Sequence, residues 1–460
     1  MATIREDDFI KSVADALQFI SCYHPVDYIR HLAAAHEREQ SPAAKEAISQ
    51  ILANSRMAAL GRRPMCQDTG TVNAFVRVGM NARITTTRSI EELVDEGVRR
   101  AYLDPDNPLR ASVITDPLFA RLNTRDNTPA ITHTSVVPGD EVTVTVMAKG
   151  GGSENKSRFA MLNPSDDLVE WVVETVRSLG AGWCPPGMIG LGVGGSAEKA
   201  MLMAKESLLE PIDMSELLGR GPRNGEEEMR IALYEKINAL GVGAQGLGGL
   251  TTVVDVKLKT FPTHAASKPV GLIPQCAANR HVTFALDGSG PAILTPPSLA
   301  DWPQITLDRT AHAARRVDLD NLTREEIATW RPGETLLLNG RMLTGRDAAH
   351  KRMVDMIARG EPLPVDLTGR VIYYVGPVDP VRDEVIGPAG PTTATRMRVP
   401  ARKRVPARAA ARRPRRRPTR RQPGASRAPS TCWSRPMPRS PTATSTRRSP
   451  PVWRTSPCSG

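Results

Sequence analysis

Residues 398–460 contain 12 prolines and no Leu, Ile, Phe, Tyr, Asn or His, and this break in composition limits what the chain can fold into. A segment so poor in apolar side chains cannot bury enough surface to offset the entropy of ordering it. The fold is therefore expected within the first 397 residues, with a disordered tail behind them. The tail also distorts the charge. It holds 18 of the 61 Lys and Arg and none of the 49 Asp and Glu, so the body keeps 43 basic against 49 acidic residues behind a formal net charge of +12. A basic chain invites a nucleic-acid reading, but here it concerns the tail alone, which would hold polyanions without sequence preference and with steep salt dependence. With Trp433 and Trp453 as its only aromatics, the tail has little to stack on bases.

The body reads as an ordinary, mildly acidic enzyme. No stretch approaches 18 consecutive apolar residues, and "MATIREDDFIKSVADALQF" lacks the apolar core of an export signal, which predicts a cytoplasmic protein without a membrane anchor. Cys432 and Cys458 fall in the tail; Cys22, Cys66, Cys184 and Cys276 are spread thinly through the body, a pattern that suits reduced thiols. Phe9, Val13, Leu17 and Ile20 recur at helical spacing, and Ser41-Pro42 reads as a cap with proline in the first turn, so about three helices are expected before Ala58. Strand patterns such as "NAFVRVG", "EVTVTVMAK" and "TTVVDVKLK" then alternate with helical ones such as "DDLVEWVVETVRSLG". The fold class is α/β (α+β), in two domains. We divide the chain into 1–293, a Pro/Ser/Gly-rich linker at 294–315, a smaller strand–helix–strand domain at 316–397, and the tail. Thr344 is expected to cap the helix of the smaller domain, with Asp347 at its third position.

Three cysteines share a context. "MCQDTG", "WCPPG" and "PQCAANRH" each place one in a turn-like segment, whereas Cys22 sits on an apolar helix. Three thiolates converging from loops can hold three corners of a cubane cluster and leave one iron open as a Lewis acid. Separations of 118 and 92 residues match no compact ligand motif, so spacing alone favours small buried residues. "MAKGGGSENKS" offers consecutive glycine amides flanked by Lys149 and Lys156, suited to an anion or to a plain tight turn. Gly190, Gly192 and Gly195 spell G-x-G-x-x-G between a strand and a helix, but without an acidic residue at the expected distance. Close helix–strand packing is the better reading. His264 and Lys268 precede Cys276 in a Thr/Ser-rich loop, where a histidine orients a carboxylate or is simply satisfied locally. Arg110, Arg346 and Arg396 stand at loop–helix junctions suited to gripping carboxylates.

In order along the chain, "MCQDTGT", "KGGGSENKS", "WCPPGMIGLGVGG", "FPTHAASKPVGLIPQC", "LDGSGPA", "TGRDAAHKR", "YYVGPV" and "GPAGPTTATRM" closely resemble the class I, iron–sulfur fumarate hydratases over residues 1–397. The resemblance implies a [4Fe–4S] cluster on Cys66, Cys184 and Cys276, and a homodimer whose subunits carry a swivelling C-terminal domain. The implied reaction is reversible hydration of fumarate to L-malate; tartrate or mesaconate is the alternative dicarboxylate. It also implies that Asp68 and Thr392 handle protons and that His264 sits near the leaving hydroxyl. Arg110, Arg346 and Arg396 would hold the carboxylates, with Gln67 and Gly151 of the Lys149–Ser153 loop completing the pocket. Thr392 and Arg396, four apart, would share one helix face.

The likeness stops at Met397. In the family the helix begun at Thr392 continues into a further ordered region with a substrate-contacting lysine, whereas here 17 arginines and one lysine follow. That bias suits a GC-rich message in a shifted reading frame, which we expect over a selected basic arm and which leaves an inactive copy as an alternative.

Overall fold

The computed structural model describes residues 2–305, 314–331, 334 and 336–390. Thr392, Arg396 and the basic tail, with its expected disorder, lie outside the described residues.

Three helices open the chain, Glu6–Cys22, Val26–Arg38 and Pro42–Gly61. Pro42 starts the third, where its missing N–H loses no helical bond. The periodic set Phe9, Val13, Leu17 and Ile20 is buried against helix Ile90–Tyr102 and one face of a four-stranded sheet. That sheet runs in the order His281–Leu286, Val142–Lys149, Thr71–Gly79, Ile131–Val137. Alternation sends Val142, Val144 and Val146 into the core while Thr143 and Thr145 are only half-buried on the other face.

A second sheet, Arg158–Leu162, Lys268–Gln275, Gly187–Gly194, Val253–Phe261, is covered on both faces, and its central strands accordingly read as near-continuous apolar runs. Ile189 and Leu191 pack on helices Leu168–Leu179 and Gly225–Ala239. On the opposite face Gly190 and Gly192 admit helix Ala197–Ser207. A Cβ on Gly190 would lie 2.2 Å from the Ala204 carbonyl oxygen, and one on Gly192 2.1 Å from that of Ala200. The G-x-G-x-x-G pattern therefore serves backbone packing.

Two segments cross from one sheet to the other. Residues 150–157 leave strand Val142–Lys149 for strand Arg158–Leu162, and residues 276–280 leave Lys268–Gln275 for His281–Leu286. These crossings build the candidate site.

Beyond them, Trp302 is 2% exposed and donates from Nε1 to Ser55 Oγ at 2.9 Å. The stretch read as a linker is anchored at this Trp, which gains burial without leaving its N–H unpaired. Farther on, Arg315–Asp318 pairs in parallel with Leu336–Asn339, and Leu343–Thr344 with Ile372–Tyr373, around helix Asp347–Arg359. Thr344 does not cap that helix. Its backbone is committed to Tyr373, and Arg346 takes the N-cap place without a side-chain cap. No described helix is long and apolar enough to cross a membrane.

Candidate active site

The two crossings, the loop before strand Thr71–Gly79 and the turn before strand Gly187–Gly194 bring Cys66, Cys184 and Cys276 to one cavity of about 520 Å³, together with Gln67, Asp68 and Arg280. Cys184 has φ 60°, a left-handed conformation that costs a side-chain-bearing residue energy and persists only when its surroundings impose it. Here the Cys184 N–H donates to the Ala181 carbonyl at 3.0 Å, and its own carbonyl accepts from the Ala277 N–H at 2.9 Å. The second bond ties the Cys184 turn to the Cys276 turn. Burial pushes the Cys66 thiol up to about 11. Burial and the charges of Cys276, Cys66 and Asp68 push that of Cys184 up to about 12. Thiolates at these positions call for a compensating cation. Cys22 lies elsewhere, buried at the end of the first helix.

Asp68 is oriented by the glycine turn, its Oδ2 accepting from the Gly151 N–H at 2.8 Å. The turn can approach because Gly150 lacks a Cβ, which would stand 3.3 Å from that oxygen. Gly151, expected to meet substrate, thus directs its N–H at Asp68. Lys149, 1% exposed, donates to Ser153 Oγ at 2.7 Å and to the Pro274 carbonyl at 2.6 Å. It joins the turn to the strand that leads into Cys276. Burial lowers its ammonium to about 8.

Residues 376–390 close over this region. The Gly390 N–H donates to Gln67 Oε1 at 2.8 Å, and Gln67 Nε2 donates back to the Gly390 carbonyl. Arg63 reaches Asn107 Oδ1 at 2.7 Å, Glu384 Oε1 at 2.8 Å and the Asp379 carbonyl at 2.9 Å. Arg110 donates to the Gly376 carbonyl at 3.1 Å. A Cβ on Gly376 would lie 3.1 Å from both Arg110 Nη2 and Arg346 Cδ, so this glycine lets two arginines from distant segments meet. Burial and then the Arg346 charge lower the Arg110 pKa.

His264 is not brought to the cavity. It lies exposed in the turn after strand Val253–Phe261, in a shallow groove with His133 and Phe261. Three groups escaped the sequence reading. His24 lines the cavity, bonded to Ser55 Oγ at 2.8 Å and held neutral by burial, which lowers it to about 3. Arg63 and Arg280 are buried. Their signal is faint: Arg63 lies three residues before Cys66 and Arg280 four after Cys276, with nothing to mark them as buried.

Residues 10–285 match the family model described as fumarate hydratase (fumerase), and 288–403 match that of the fumarase C-terminus, six residues past Met397. The chain is 33% identical to the anaerobic class I fumarate hydratase of Escherichia coli over 380 residues, 79% of this chain and 68% of the relative. It is 31% identical to the aerobic one from that organism, over 85% and 74%. A putative L(+)-tartrate dehydratase α subunit of Methanocaldococcus jannaschii is 35% identical over 278 residues, 58% of this chain and 94% of that subunit. With both parts matched in order, the chain belongs to the class I fumarate hydratases, a family of hydro-lyases.

Proposed function

We propose that the chain hydrates fumarate reversibly to L-malate, with a [4Fe–4S] cluster on Cys66, Cys184 and Cys276. The observation that carries this reading is the convergence of three distant loop cysteines on one cavity shared with Asp68 and Gln67. The donor set fits the cluster. All three thiols are free, and the raised pKa values of Cys66 and Cys184 are of the kind a bound cation reverses. When bound, the cluster supplies a Lewis-acidic iron able to polarise a hydroxyl and a carboxylate.

Dehydrating malate requires removal of a weakly acidic C3 proton and protonation of a poor leaving group at C2. Asp68, steadied by Gly151, handles protons with Thr392, which follows by two residues the Gly390 that Gln67 holds. Arg110 and Arg346 take a carboxylate between them, joined by Arg396; Gln67 and Gly151 complete the pocket. His264 would serve this site only from a second copy, in keeping with a homodimer. The division at 1–293 and 316–397, the swivelling of the second part and a cytoplasmic location belong to the same reading. The tail would add only nonspecific polyanion binding.

Anaerobic reconstitution should give iron, labile sulfide and a broad visible absorbance that Cys184→Ser loses, together with malate turnover. Cluster without turnover would mark an inactive copy. Faster turnover of tartrate would favour the alternative suggested by the tartrate dehydratase relative, and no cluster with the three thiols intact would sink the proposal.

A further inference from the structure

Arg280 is 1% exposed, yet among the described residues its Nε has no hydrogen-bond partner and its guanidinium has no carboxylate within ion-pairing distance. A buried cation without a counter-charge is costly, and buried charges are normally paired or bound to a ligand. Arg280 lines the cysteine cavity, four residues beyond Cys276, and a Cβ on Gly150 would lie 3.5 Å from its Nη2. Three neighbouring cations are engaged, Lys149 with Ser153 and Pro274, Arg63 with Asn107 and Glu384, and Arg110 with Gly376.

We infer that Arg280 is a positioning residue for the cluster: its guanidinium supplies the counter-charge and hydrogen-bond donors for the thiolate-ligated cubane from the floor of the cavity. This rests on the cluster reading above. Three thiolates and the sulfides give the cluster net negative charge, and one-electron reduction adds more, so a buried guanidinium favours both retention and the reduced form. Its burial separates it from Arg110 and Arg346, which are only half-buried.

The test uses Arg280→Met and Arg280→Lys, compared with the parent chain after anaerobic reconstitution. In R280M the reduced form should lose about tenfold in equilibrium with the oxidised, about 59 mV more negative for one electron, and iron should pass to a chelator roughly tenfold faster. R280K, which keeps the charge, should stay near the parent in both. Without cluster, R280M should melt no lower than the parent, because a buried unpaired charge has been removed. Parent-like potential and iron loss in R280M, with a raised KM for malate, would assign the guanidinium to substrate and overturn the inference. So would an R280K as altered as R280M, or equal destabilisation of R280M with and without cluster. Should R280M not fold, R280Q is read by the same criteria. Failure of the parent to hold a cluster would instead defeat the underlying reading.

Discussion

Replacing Arg63 by Met should loosen one segment and leave the rest of the fold in place. Arg63, 7% exposed, is held by Asn107 in the N-terminal part and grips Glu384 and the Asp379 carbonyl in the closing segment. The ion pair is discounted because the Glu384 side chain is 28% exposed. At about 1 kcal/mol for each of the two bonds that reach the segment, the loss is about 2 kcal/mol against the attachment of residues 376–390. That corresponds to roughly a thirtyfold rise in local opening. Hydrogen exchange read by mass spectrometry should show peptides from 376–390 exchanging about thirtyfold faster, while strand Val142–Lys149 is unchanged. Turnover should fall with it, since the segment carries Gly390 to Gln67 and Gly376 to the two arginines. Unchanged exchange in 376–390, or an equal loss of protection throughout, would refute the reasoning.

Two further outcomes follow from packing and charge. Gly192→Ala should cost several kcal/mol or prevent folding, because its Cβ would meet the Ala200 carbonyl oxygen at 2.1 Å. Gly151→Ala, whose nearest neighbour would be Asp68 Oδ2 at 3.7 Å, should melt close to the parent; the reverse order in a thermal scan would contradict the helix–strand reading. Burial holds Lys149 at about 8 against 10.5, so the folded chain binds fewer protons than the unfolded one between those values. Stability from this residue therefore rises with pH across that window, by up to about 3 kcal/mol. The difference in urea stability between the parent and Lys149→Met, measured from pH 7.5 to 10.5, should grow in the parent's favour, and a flat difference would contradict it.

What the sequence determined by itself was local. Helical spacing of Phe9, Val13, Leu17 and Ile20, alternation in "VTVTVMAK" and proline at position 42 each act within a few residues, and each yielded the expected element. The order of eight motifs also carried the family. Burial and convergence were decided in three dimensions. The 118 and 92 residues between the cysteines say nothing of two crossings between sheets, and Thr344 lost its cap role to a strand partner far along the chain. An arginine reads as surface until the fold encloses it; only packing turned Arg63 into a clasp and left Arg280 as a buried charge facing three thiols. His264 shows the converse, since its neighbours in sequence lead toward Cys276 while the turn that bears it points to solvent. Propensity and capping are settled by neighbours along the chain; desolvation and charge pairing depend on neighbours in space, which the strand order alone supplies.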